Sequence, residues 1–179
     1  MKGAHRTIGA VVVLLLALVV TAAQAQPQFT GTWTLNRAQS QFPAHAHRGQ
    51  GTADQQPQAA PPEVKLTVEQ QGSTLKATRT MVRGTRERST SETYTTDGSE
   101  RTEQVRGGSS VTKATLGGDR LVINQTHTRP AKDQAQPART FSRESVWTLS
   151  PDGRTLTIDT TMHTPRGDRA MKTVYDKTS

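Results

Sequence analysis

Alternation with a period of two runs through this chain from Val64 to Tyr175, interrupted at short intervals by Gly, Pro and Asp. Val64, Leu66 and Val68 share one face, with Lys65, Thr67 and Glu69 on the other. The same holds for Leu75, Ala77, Arg79 and Met81, and for Leu121, Ile123, Gln125 and His127. It holds again for Phe141, Arg143, Ser145, Trp147 and Leu149, and for Leu156, Ile158, Thr160 and Met162. Phe29-Thr-Gly-Thr-Trp-Thr-Leu35 opens the series, and Met171, Thr173 and Tyr175 form the last face. Such segments read as half-buried strands joined by tight turns, at Gln71-Gly72, Gly107-Gly108, Gly117-Gly-Asp119, Pro151-Asp-Gly153 and Pro165-Arg-Gly167. No segment carries a helical period.

Adjacent hairpins then give an all-β meander, and closing it hides the edge strands. The expected fold is an antiparallel up-and-down β-barrel of about eight to ten strands whose first and last strands meet. Two of the strands, near Arg86–Thr96 and Ser99–Arg106, are weak, with only Tyr94 and Val105 as substantial apolar residues. Asp97-Gly98 between them is a hairpin dipeptide, so they are expected to form an exposed hairpin.

Composition pulls the other way. Residues 26–179 hold seven Leu, two Ile, eight Val and three Phe, about 13 per cent of that stretch. Low aliphatic content is a mark of disorder, but disordered chains need no alternation. A folded domain with a small core and a wet interior reconciles the two.

Residues 1–25 stand apart. Lys2, His5 and Arg6 precede an apolar run from Ile8 to Val20, and Ala23-Gln-Ala25 supplies the small-x-small pattern of a secretory cleavage site. The run is shorter than the about 20 residues of a membrane span. The expectation is a cleavable signal, a single domain over 26–179 without a membrane span, and a periplasmic or secreted location. There is no cysteine, hence no disulfide. Residues 38–62, rich in Gln, Ala, His, Gly and Pro, read as a low-complexity loop.

The net charge of +8 falls to +6 without Lys2 and Arg6. The charges alternate in sign, as in Arg83-Gly-Thr-Arg-Glu-Arg88, and no aromatic ladder interleaves with them, which argues against nucleic acid.

Phe29-x-Gly-Thr-Trp-x-Leu35 resembles the opening of the calycin superfamily, the lipocalins and fatty-acid-binding proteins, with its Gly-x-Trp signature. Thr173-Val-Tyr-Asp-Lys177 resembles the closing strand of fatty-acid-binding proteins, where an Arg-x-Tyr pair holds the ligand carboxylate. Tyr175 matches the tyrosine and Thr173 stands at the arginine position. The family's helical lid would fall at 38–62, which reads as non-helical. The whole is most similar to secreted bacterial lipocalin-like proteins. That resemblance implies a barrel binding a small hydrophobic or amphipathic ligand, as a monomer and without a cofactor.

Strand parity turns Arg79, Gln125, His127, Arg143 and Thr160 inward with the apolar residues. Unpaired buried cations are costly, so two inward arginines require water, carboxylates or an anionic ligand. The candidate ligand-binding set is Arg79, Gln125, His127, Arg143, Trp147, Thr160, Met162 and Tyr175. Solvated arginines at the barrel mouth are the plainer alternative, and Trp33 and Trp147 serve equally as core aromatics. His45 and His47 lie in the polar loop without a paired carboxylate beyond Asp54, so no metal site is read there. No nucleophile elbow, phosphate loop or zinc helix appears, and the expectation is a non-enzyme. A barrel packed shut, meeting an envelope partner through its outer face, is the rival reading. Interior volume decides between them.

Overall fold

The computed structural model describes residues 27–42, 61–131, 133, 137–165 and 167–179. Residues 1–25, His45 and His47 lie outside that set, as does most of the 38–62 segment. Ten strands follow one another: β1 Gly31–Gln41, β2 Glu63–Gln71, β3 Thr74–Arg83, β4 Arg86–Thr95, β5 Asp97–Val105, β6 Gly108–Gly117, β7 Arg120–Arg129, β8 Arg139–Leu149, β9 Thr155–Thr164 and β10 Gly167–Lys177. All pair antiparallel in one sheet of order β4-β3-β2-β1-β10-β9-β8-β7-β6-β5. The described residues contain no helix. β10 lies between β1 and β9, so the ends of the series meet, with Leu35 opposite Tyr175 and Trp33 opposite Lys177.

The expected β4–β5 hairpin does not form. Thr96 joins the two strands and fastens the floor of the barrel. Its N–H donates to the Ser73 carbonyl at 2.7 Å, and its carbonyl accepts from the Leu116 N–H at 3.0 Å. Beyond Thr96 the strands diverge and share no ladder, which makes them the two ends of the sheet. The side chains facing this seam explain the divergence. Ser91, Glu92 and Thr93 of β4 and Ser99, Arg101 and Glu103 of β5 line a slot of about 440 Å3. Such polar groups gain little by leaving water to pair.

Burial is polarised along the barrel. The turns after β2, β6 and β8, with Thr96, mark one end, and the fully buried Leu75, Leu121, Ile123 and Leu156 all lie toward it. β4 is exposed from Arg86 to Thr93 and buried at Tyr94, while β3 is buried at Leu75 and Ala77 but exposed at Arg79, Met81 and Arg83. One end is a packed floor and the other is not.

Phe29 seals the floor. The chain turns inward ahead of β1, so the strand begins at Gly31 rather than Phe29, and the Phe29 ring meets Trp147 edge-on at 6.0 Å. The Trp33 indole N–H donates to the Phe29 carbonyl at 3.0 Å, and the Phe29 N–H donates to Gln70 Oε1 at 3.1 Å. Both aromatics are fully buried. The far part of β1, which includes Ala38–Gln41 of the expected loop, is strand with a bulge. Asn36 pairs with Val174 and Gln41 with Lys172, so β1 carries extra residues there. The Ser40 hydroxyl stands in for a strand partner by accepting the Val174 N–H at 2.9 Å.

Gly31 explains the glycine of the Gly-x-Trp pattern. Its φ of +144° lies where side chains are disfavoured, and a Cβ there would sit 2.6 Å from the Ser179 carbonyl oxygen. That carbonyl is fixed by the Thr32 N–H at 2.7 Å. Gly31→Ala is therefore expected to cost about 1–3 kcal/mol, lowering the melting temperature by about 2–4 °C per kcal/mol. A thermal melt equal to that of the wild type would contradict the role assigned to Gly31.

Candidate functional site

Above the floor the barrel is hollow, with a cavity of about 600 Å3. Its lower wall is apolar: Leu66, Ala77, Ile123, Trp147 and Ile158 line it from five strands. Ser145 and Thr160 face each other across the β8–β9 pair, their hydroxyls 3.2 Å apart, so neither needs water. Above them the wall becomes basic and sulfur-rich. Arg79, Met81, Arg83, Arg86, Arg88, Arg143, Met162 and Met171 all border the cavity, with Glu87 and Glu92. Met81 and Met162 are 42 % and 43 % exposed, too open to be core packing.

β4 contributes the central polar group. Because Tyr94 points inward, alternation also turns Glu92, Thr90, Arg88 and Arg86 inward. Glu92 Oε2 accepts from the Tyr94 hydroxyl and lies 3.2 Å from Arg143 Nη2, and Arg143 in turn donates to Gln125 Oε1. This chain of bonds crosses the open seam and ties β4 to β7 and β8, where backbone pairing is missing. The Arg143 and Glu92 side chains are 37 % and 44 % exposed to the spaces they line, so water screens the pair and its worth is modest.

The candidate residues thus divide. Arg79, Arg143, Trp147, Thr160 and Met162 line the cavity. Gln125 borders the seam slot and meets the cavity through Arg143. His127 is half-buried opposite Phe141 on β8 and is not among the cavity-lining residues. Tyr175 is 1 % exposed within the floor cluster, away from the cavity wall, and the Thr173 hydroxyl donates to the Ile158 carbonyl of β9. Glu92, Tyr94 and the rim arginines of β4 are absent from that set. Their only signal was the parity of Tyr94, in a strand otherwise without apolar markers. His163 contacts Asp168 at 2.9 Å on the exposed β9–β10 hairpin, and no cluster able to hold a metal occurs among the described residues.

No protein-family profile matches this chain, and no curated protein matches it. Solved structures do. Zebrafish ileal bile acid-binding protein in complex with cholic acid aligns over 84 % of this chain and 98 % of its own, at 14 % identity and a TM-score of 0.50. Secretory abundant heat soluble protein 4 from Ramazzottius varieornatus aligns over 87 % and 97 %, at 13 % identity and 0.47. The Schistosoma mansoni fatty acid binding protein with arachidonic acid aligns over 84 % and 96 %, at 17 % identity and 0.44. The fold, an antiparallel up-and-down barrel of ten strands, is the one it shares with the bile acid-binding barrel.

Burial, and after it the charge and hydrogen bond of Glu92, hold the Tyr94 hydroxyl well above the ordinary phenol range, against the opposing pull of Arg143 and Arg79. A proton bound more tightly in the folded state stabilises fully below the unfolded phenol value of about 10 and is lost as pH rises beyond it. With Tyr175→Phe, Tyr94 is the sole tyrosine. Its phenolate absorbance is expected to appear only with alkaline unfolding. A reversible titration of the folded variant near pH 10 would contradict the burial of Tyr94 and its bond to Glu92.

Proposed function

We propose that this chain is an exported, lipocalin-like binding protein that takes up one small amphipathic molecule, apolar body inward and anionic group outward. The observation that carries the reading is the layered cavity: a volume of about 600 Å3, apolar below and bordered by five arginines above. Ligand sites of about 300–1,000 Å3 with few, placed polar groups are the usual form of small-molecule pockets. A barrel packed shut would have favoured the envelope-partner reading, and this interior is not packed. The zebrafish barrel of the same fold was solved with cholic acid, an amphipathic steroid bearing a carboxyl group, and a small amphipathic acid is the class proposed here. Arginine offers the matching planar grip on a carboxylate.

The export part of the proposal rests on the basic head, apolar run and Ala23-Gln-Ala25 of residues 1–25. The mature protein from its own envelope is expected to begin at Gln26. No step of catalysis is assigned. Of the cavity's carboxylates and hydroxyls, Glu92, Tyr94, Ser145 and Thr160 are engaged with one another or with arginine, and the role proposed is binding.

Titration of residues 26–179 with 11-(dansylamino)undecanoic acid tests the reading. Saturable dansyl enhancement with quenching of Trp147 is expected. Ala77→Phe, which adds a ring to the cavity floor, is expected to weaken binding at least about tenfold while leaving the thermal melt near that of the wild type. No saturable binding, or binding indifferent to Ala77→Phe, would overturn it.

A further inference from the structure

Where an anionic head can sit follows from which arginines are already engaged. Of the five on the cavity, Arg143 has Glu92 and Gln125 as partners. Arg79, Arg83, Arg86 and Arg88 make no ion pair and no side-chain hydrogen bond among the described residues. These four occupy one wall, where Arg79 pairs with Thr90, Met81 with Arg88 and Arg83 with Arg86 across β3 and β4. The wall climbs from mid-barrel to the β3–β4 turn at the open end. Deeper in, the first charged group beyond the apolar floor is Glu92, opposite Ala77 and two register positions below the Arg79–Thr90 pair. A carboxylate pushed down to Arg143 would have to displace Glu92 and leave it with the Tyr94 hydroxyl alone. Two carboxylates sharing that site repel, since a like charge disfavours the ionised form.

We propose that Glu92 sets the orientation and charge selection of the ligand: by occupying Arg143 it excludes an anionic head from the deep site, so that a long-chain carboxylate binds tail-first with its head on Arg79 and the rim arginines. This deepens the binding reading above and depends on it. The shape of the cavity agrees, because the apolar surface of Trp147, Ile123 and Ile158 lies below Glu92, while Arg79, Arg83, Arg86 and Arg88 border it above, with Glu87 among them.

The test compares 11-(dansylamino)undecanoic acid with its uncharged methyl ester on residues 26–179. Glu92→Gln keeps the size and hydrogen-bonding capacity of the side chain and removes the charge. It is expected to tighten the acid about tenfold and leave the ester within about twofold. Adding Arg143→Met to that variant is expected to abolish the gain. In the otherwise native chain, Arg79→Met is expected to weaken the acid about tenfold and spare the ester. Equal changes for acid and ester in Glu92→Gln, or no change in either, would overturn the proposal. So would an acid affinity indifferent to Arg79→Met, the arm that decides the matter if Glu92→Gln does not fold. Should the wild type and Glu92→Gln bind neither probe, the cavity reading itself falls with it.

Discussion

The backbone of a ten-stranded barrel fixes its circumference, and the space within must be filled by side chains or left open. This chain brings few large apolar residues to that space, and nearly all reach it from one end. Phe29, Trp33, Leu75, Leu121, Leu156 and Tyr175 pack the floor to full burial. At the other end the same inward positions carry Arg79, Arg88, Arg143 and Met162. Shared strand parity thus gives a packed half, which supplies stability, and a hollow half, which supplies a site. The low aliphatic content that reads as disorder in the composition is the content of a half-filled barrel.

Closure rests on two kinds of contact. β10 joins β1 to β9 through backbone ladders, with Gly31 letting the segment after β10 approach. Among the described residues, the β4–β5 seam has a backbone fastening only at Thr96 and is otherwise bridged by side chains, Glu92 to Arg143 to Gln125. That bridge is also the polar centre of the cavity. Binding and closure therefore share atoms, and a ligand that disturbed Glu92 would also loosen the seam.

The strand series, its turns and the meeting of first and last strands were legible in the sequence because alternation is a direct print of one buried face. The inward arginines Arg79 and Arg143 were legible for the same reason. What was hidden followed from absent markers. β4 has one large apolar residue, so Glu92 was not recognised as the carboxylate Arg143 needed. Asp97-Gly98 has the chemistry of a hairpin turn, but the Asp97 carboxylate accepts the Ser99 N–H at 2.8 Å and the polar strands on either side separate. Tyr175 has the inward parity of a ligand contact, but parity does not give height, and its level is the packed floor. Its neighbour Thr173 bonds to backbone, so the Arg-x-Tyr grip of the fatty-acid-binding proteins has no counterpart at these positions.

Methionine reports most directly on the hollow half. Met81, Met162 and Met171 border the cavity, and the fourth, Met1, lies outside residues 26–179. Residues 26–179 labelled with 13C at the methionine methyl groups should give three signals. Adding a long-chain carboxylate such as dodecanoate is predicted to shift all three, together with the Trp147 indole N–H, and to leave the indole N–H of floor-bound Trp33 in place. Unmoved methionine signals at saturating dodecanoate, or a shift confined to Trp33, would contradict a ligand seated between the apolar floor and the arginine rim.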